Sequence, residues 1–577
     1  MALFTPSESP AVIVKEVDLT SVVRNAQSST GAFVGNFRWG PVEQRVDIAD
    51  EGELAATFGT PDASNAVDYF QPAMFLRYSQ DLLVVREVDS SAVNAFSIDE
   101  ADSNLTPVVK NSDNFDNQQA ALDSDNHTFM ARYPGALGNS LAVSICPADS
   151  VSNVFDAWTY ASSFDAAPGT SSFVSARGGL YDEVHIAVID EDGEFTGTPG
   201  TVLETFPFLS LASNAKTDQG SKNYALDVIN SRSQYVHFVG WDSDYTVAGA
   251  GTEPTSSTNY TLTTPAAETF SLSQGANSGA LSNGQIATGF DLFEDTETVQ
   301  LDFLIAPQRS ARADQNTVVN DLVTIAQSTR KDCIVVTSPA REDVVGLANP
   351  TTNIVAGANA FTNSSYLVVD NDYLKIYDKY NDQYIQIPAA SSTAGIMAAS
   401  DVNAAPWFSP AGSRRGQYLG ITSLSWSPTK SQRDTLYRAG VNPVANIPGL
   451  GVLLYGDKTK LARPSAFDRI NVRRLFLVVE RAIGAAAKNV IFEFNDEFTR
   501  AEFVNIVEPF LREIQGRRGI TDFRVVCDET NNTPAVVDRN EFIADIFIKP
   551  ARSINYVTLN FVATRTGVDF EEVVGTV

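Results

Sequence analysis

Basic, sulfur-bearing and imidazole side chains are scarce in this chain of 577 residues. Its three cysteines, Cys146, Cys333 and Cys527, are odd in number and far apart, which argues against a disulfide framework and suits a reducing compartment. The three histidines, His127, His185 and His237, have no H-x-x-H or C-x-x-C near them, so no zinc site is expected. No run of 18 apolar residues occurs, so no membrane-spanning helix and no membrane insertion are expected. Residues 1–16 lack a basic segment leading into a long apolar one, so no secretory signal is expected. Lys and Arg number 41 against 70 Asp and Glu, a net charge of −29 that repels polyanions and excludes general nucleic-acid binding. What is present is ordinary globular material. With 43% hydrophobic and 19% charged residues the chain can bury real cores. Its length suits three to four domains at about 150 residues each.

Catalytic signatures are also missing. Gly451–Gly456 is followed by Asp457-Lys458-Thr459, and that aspartate shifts the lysine out of phosphate-loop register and repels phosphate. Asp190-Glu-Asp-Gly193 lacks EF-hand spacing and reads as a hairpin tip. No G-x-S-x-G elbow is present. Acidic residues are plentiful, but carboxylates alone do not define a glycosidase. The sequence therefore carries no catalytic, cofactor or metal residues, and no enzyme or cofactor is expected.

The charge is unevenly placed. Residues 430–577 hold 20 Lys and Arg and 19 Asp and Glu, a net of +1, while residues 1–429 carry 21 and 51, a net of −30. Two domains of different composition would give this, and so would a neutral end packed among copies of itself with the acidic remainder in water.

Periodicity divides the chain. Ala11–Leu19 alternates, with Ile13, Val17 and Leu19 on one face, and reads as a terminal strand followed by a polar tether. Residues 31–41, 66–78 and 81–88 read strand, helix, strand, and the same order returns after 290, with a strand ending before Pro307, a helix over 317–329 and a strand over 332–337. Between them, 89–290 is rich in Ser, Asn, Asp and Gly and reads as a β-rich insertion, which should point outward because its two junctions lie together. Residues 470–487 read as an amphipathic helix. Thr499-Arg-Ala-Glu502 fits a capping box for a second helix ending at Gly516, and three strands follow near 523–527, 542–548 and 554–563.

The expected fold class is α+β and multidomain. An N-terminal extension (1–24) precedes a discontinuous α/β core domain (25–88 and 291–429). The β-rich protruding insertion (89–290) begins with a short linker region (89–131). A C-terminal α+β assembly domain (430–563), helices over a small sheet, leads to a C-terminal extension (564–577).

The segments Leu454–Thr459, Phe467–Phe476, Arg524–Asp528, Asn531–Pro534, Asp538–Phe542 and Pro550–Thr564 resemble the tail sheath proteins of contractile-tailed, T-even-type bacteriophages. Phe37-Arg-Trp-Gly-Pro41, Thr57–Pro61, Tyr133-Pro-Gly135, Tyr377–Asp382 and Ser409–Gly412 resemble the same family, in the same order. The stretch 89–131 departs from it, since the T-even protein carries a larger outer insertion there. The resemblance implies a virion-tail protein assembled in the host cytoplasm. It further implies stacked rings of identical subunits around a tail tube, with baseplate and tail terminator proteins as partners. Contraction would drive the tube through the host envelope for genome ejection. It also implies that terminal extensions add strands to neighbours, and the alternating residues suited to this are Val12, Ile13, Val14, Val17, Leu19, Tyr556, Val557, Leu559 and Phe561. Arg473, Arg474, Arg512, Arg517 and Arg518 are candidates for facing acidic groups on the tube, although arginines at a helix end equally serve the helix dipole. Other readings stay open: a sheath of a non-viral contractile injection system or bacteriocin, an acidic enzyme acting on envelope glycans, and glycan binding by 132–290.

Overall fold

A computed structural model describes residues 30–97, 108–124, 128–148, 154–241, 249–256, 258–260 and 266–555. Of these, 30–406 with 410–473 form one compact unit, and 407–409 with 474–555 form another.

The larger unit is built on a six-stranded sheet. Its order is Leu367–Val369, Ile334–Thr337, Phe303–Ile305, Gly31–Gly35, Leu82–Arg86 and Arg45–Ile48. The first five are parallel and the last is an antiparallel edge. Parallel strands covered on both faces read as unbroken apolar runs, and Leu82–Arg86 is buried at every position. Ala32, Val34, Leu83 and Val85 face a core shared with Ile286, Phe290, Val319, Leu322 and Ile354. Those residues come from the helices Asn283–Asp291, Arg312–Thr324 and Thr351–Ala360. Helices Ala66–Phe75 and Ala390–Asn403 also pack on this sheet, and Phe75 sits edge-on to Phe303 at 6.4 Å. Gly31 pairs with Phe303, so segments on either side of the insertion share one sheet.

The intervening residues form a seven-stranded antiparallel sheet. Its order is Thr201–Ser210, Glu183–Asp190, Leu141–Pro147, Glu268–Ser273, Phe96–Ser97, Phe129–Ala131 and Val236–Phe238. Residues 89–131, expected as a linker, supply two of these strands and the helix Ser112–Ser124, whose Phe115 joins Phe96 and Met130 in a core. The polar composition hid them because each apolar contribution is short. The Asp190 carboxylate organises the hairpin tip, accepting from Ser140 Oγ at 2.7 Å and from the Phe195 and Thr196 amides at 3.1 and 2.7 Å.

Two of the quoted motifs form the seat between the two sheets. Trp39 packs edge-on to Tyr133 and Phe195 at 5.4 and 5.2 Å. Arg38 pairs with Glu194 at 3.1 Å. Arg86, fully buried at the end of its strand, donates to the carbonyls of Phe37 (2.9 Å), Gly40 (2.7 Å) and Pro134 (2.5 Å). Burial pushes its guanidinium down to about 9, and the three carbonyls are what hold the charge there.

The first unit extends to Arg473, beyond the boundary expected at 430. The reason is packing. Leu436, on helix Lys430–Arg438, and Val441 enter the first core, and the Asn442 amide donates to the Val369 carbonyl at 2.8 Å.

His185 and His237 have structural settings, while His127 lies outside the described residues. The His185 Nδ1 accepts from the Phe208 amide at 3.0 Å and its Nε2 donates to the Ala166 carbonyl at 2.7 Å. His237 is 1% exposed and stacks on Phe115 at 3.9 Å, with neither ring nitrogen hydrogen-bonded among the described residues. Burial, helped by Arg132, pushes its pKa down to about 3 from 6.5. The neutral ring is therefore favoured by folding. Its stabilising contribution is complete above pH 6.5 and is lost as pH falls toward 3. His237→Phe is expected to flatten the acid limb of a stability–pH curve by about 3 kcal/mol between pH 6.5 and 4. Denaturant titrations between pH 7 and 4 measure this, and an unchanged slope would show that the imidazole is solvated.

In the smaller unit, helix Glu497–Gly516 packs Phe503, Val507, Leu511 and Ile514 inward. The strands Ile520–Val526 and Asp545–Pro550 pair antiparallel beside it. The helix starts earlier than expected: Asp496 is the cap, accepting from the Thr499 amide at 2.8 Å, so Thr499 already lies in the first turn. It passes through Pro509 and ends on Gly516, and the left-handed residue after it is Arg518 (φ 67°).

Candidate assembly surfaces

The residues nominated as donated strands, Val12, Ile13, Val14, Val17, Leu19, Tyr556, Val557, Leu559 and Phe561, lie outside the described residues. The described structure does contain an acceptor surface of the required kind. Strands Ile520–Val526 and Asp545–Pro550 pair only with each other among the described residues, so each keeps one edge of backbone N–H and C=O groups without a strand partner. A two-stranded ribbon is marginal on its own. This one is held on one face by its helix and carries Phe547 and Lys549 exposed on the other.

The quoted C-terminal motifs brace this ribbon. Asn531 Oδ1 accepts from the Asp528 amide (3.0 Å), and its Nδ2 donates to the Val526 carbonyl (2.8 Å). Asn532, almost fully buried, clamps Ile543 through both its amide (2.9 Å) and its carbonyl (2.7 Å). Arg524–Asp528, Asn531–Pro534 and Asp538–Phe542 thus form one connection, in which asparagine side chains satisfy backbone groups that leave the ladder. In the larger unit the other two motifs also meet. Asp457 pairs with Arg469 at 2.9 Å, the Ile470 amide donates to the Asp457 carbonyl at 2.8 Å, and Thr459 Oγ1 donates to the Phe467 carbonyl at 2.8 Å. Lys458 Nζ donates to the Tyr437 carbonyl at 2.9 Å, so the lysine of the apparent phosphate loop serves the fold. That segment is the strand Gly451–Leu454 and its extension.

The five arginines separate into two groups. Arg473 and Arg474 are buried, and Arg473 lies over the Tyr366 ring at 3.8 Å, which removes both as surface candidates. Burial here runs without a break through Ile470–Leu475, and adjacent charges in a sequence give no sign of it. Arg512, Arg517 and Arg518 are exposed at the end of helix Glu497–Gly516. Arg512 and Arg517 make i,i+4 pairs with Glu508 (2.9 Å) and Glu513 (3.5 Å), and the Arg517 guanidinium also lies 5.0 Å from the Trp407 ring.

Carboxylates at the C-terminal ends of the parallel strands, where ligands usually bind in such sheets, are sealed inside. Asp370 is fully buried and accepts from Ser338 Oγ (2.7 Å) and Thr393 Oγ1 (3.0 Å). Burial raises its carboxyl to about 7 against those hydrogen bonds, and burial raises the neighbouring Asp372 well above the usual range. They form a structural network rather than a cleft.

Sequence reading missed one surface. Ile491, Phe492 and Phe494, in the connection preceding helix Glu497–Gly516, and Phe498, in its first turn, are all exposed. The available signal was three phenylalanines within seven residues of a polar connection.

The acceptor ribbon and its bracing motifs lie within residues 462–564, which match the phage tail sheath C-terminal domain. Residues 279–460 match the phage tail sheath protein central domain. Over its length the chain is 33% identical to the tail sheath protein of Enterobacteria phage T4, covering 98% of this chain and 99% of that one. It is 30% identical to the tail sheath protein of Vibrio phage KVP40, with the same coverage. The fold is similar to that of the sheath tail protein from Listeria innocua, with a TM-score of 0.53 at 12% identity over 91% of this chain and 96% of that one. It is similar also to that from Desulfitobacterium hafniense, at 0.51 and 14% over 93% and 100%. Full-length similarity, two domain matches and a shared α and β architecture lead to one conclusion: the chain belongs to the phage tail sheath protein family.

Proposed function

We propose that the chain is the structural subunit of a contractile tail sheath. In this reading it polymerises in stacked rings around a tail tube, between a baseplate and a tail terminator. It contracts to drive the tube through the host envelope, and it assembles in the host cytoplasm. The observation that carries the reading is the two-stranded ribbon Ile520–Val526 and Asp545–Pro550, whose outer edges are unmated among the described residues. Strand addition satisfies such edges, and the alternating segments 11–19 and 556–561 have the pattern to supply it. A connected mesh of this kind keeps neighbours joined while rigid units re-pack, which a contracting wall requires. Electron microscopy of the purified chain tests the reading directly. Hollow striated tubes are expected, and persistently monomeric particles would count against it.

The exposed trio Arg512, Arg517 and Arg518 is assigned to the tube. Changing all three to glutamate is expected to leave the fold intact and to weaken sheath–tube association at least tenfold, more so at low salt. Co-sedimentation of tube with sheath at two ionic strengths measures this. Unchanged binding would reassign the three residues to the helix end alone.

A further inference from the structure

The aromatic tip at 491–498 has a second, different surface within the same unit to receive it, a charged ribbon face with one exposed phenyl ring. Phe492, Phe494 and Phe498 are 102%, 84% and 77% exposed, and Ile491 is also exposed. Their backbone is fixed. Asn495 Nδ2 donates to the Glu541 carbonyl at 2.8 Å, Asn495 Oδ1 accepts from Arg500 Nε at 2.8 Å, and Asp496 caps the following helix. A rigid connection that holds three phenyl rings in water is costly unless they are covered in use. The second surface is the outward face of the ribbon, where Phe547 is 59% exposed and stands across the ladder from Arg524.

We propose that the tip of one copy seats on the outward ribbon face of a second copy, in a head-to-tail contact. The inference rests on the sheath reading and names a contact within it. Three observations select a second copy as the occupant. Tip and ribbon face are different patches, so the contact does not close on itself as a two-fold dimer and instead propagates. The tip offers about 600 Å² at 150–250 Å² per aromatic side chain, below the ~800 Å² per partner of a stable pair. It therefore suits a repeated contact that counts only in a polymer. Glu493 and Glu497 flank the tip, and Phe547 stands among Arg524, Lys549, Asp522 and Asp545, a balanced set. Residues 430–577 are near neutral, so copies approach here without the repulsion that a net of −30 imposes elsewhere.

Cysteine cross-linking of the full chain tests the contact. The native cysteines are all buried, so the background is low. Phe494→Cys and Phe547→Cys, oxidised with diamide after mixing and assembly, are expected to yield disulfide-linked dimers that neither variant forms alone. The double variant is expected to yield a ladder. Phe492→Ser with Phe494→Ser is expected to raise the concentration needed for tubes at least about tenfold, with unchanged circular dichroism. Dimers from Phe494→Cys alone would overturn the head-to-tail contact in favour of tip against tip. Tubes that form without any 494–547 cross-link would overturn the inference and leave the sheath reading standing. Cross-linking of the tip to a different protein in intact particles would also overturn it. A wild-type chain that never forms tubes would sink both.

Discussion

Removal of residues 1–20 is expected to leave a chain that folds, stays in solution and forms no tubes. Among the described residues, both sheet cores are built from residue 31 onward. A strand of the length of 11–19 supplies roughly five backbone hydrogen bonds to an unmated edge. At about 1 kcal/mol net each this is about 5 kcal/mol per contact, before side-chain burial. Losing about 5 kcal/mol lowers each contact's equilibrium constant by about three to four orders of magnitude, and a polymer compounds the loss at every subunit. Circular dichroism and thermal melting should match the full chain within error, while electron microscopy should show dispersed particles. Normal tubes from the shortened chain would remove the donated-strand role from residues 12–19.

The second large effect is expected from Gly135→Ala. Gly135 has φ 145° and ψ 155°, a region that side chains do not tolerate. A Cβ there would also lie 2.5 Å from the Arg38 carbonyl oxygen, a backbone atom that cannot swing aside. Backbone strain of about 1–3 kcal/mol adds to the displacement of the Trp39 and Arg86 seat, for a total near 3–5 kcal/mol. A fall in melting temperature of several degrees, with stability lost across the seat between the sheets, is the expected outcome. Hydrogen exchange at residues 37–41 and 133–140 reads the location. A variant as stable as the wild type would mean that this backbone relaxes freely.

The legibility of this fold followed the range of the forces involved. Helices Ala66–Phe75 and Ile470–Ala487 were readable because their apolar spacing is local. The runs Leu82–Arg86 and Ile334–Thr337 were readable as buried strands because both faces are covered. The strands Phe96–Ser97 and Phe129–Ala131 were not, since two or three residues carry no period and their burial depends on partners at Leu272 and Phe238. The cap at Asp496 was passed over because Thr499–Glu502 offered the same pattern three residues later. Arg473 and Arg474 looked like surface charge for a similar reason: periodicity places a residue on a face without saying what that face meets.

The candidate surfaces follow the same division. Alternation at 11–19 and 556–561, the absence of catalytic motifs and the neutral C-terminal quarter are properties of the residues themselves and suit a self-associating chain, while the sheath reading came from the segments that resemble the family. Tertiary structure decided which arginines reach solvent, how Tyr133-Pro-Gly135 seats against Phe37–Pro41, and that three phenylalanines stand in water beside a two-stranded ribbon. The physical reason is that pattern and charge are written residue by residue. Exposure and unmet hydrogen bonds are properties of neighbours, and those exist only once distant segments have packed.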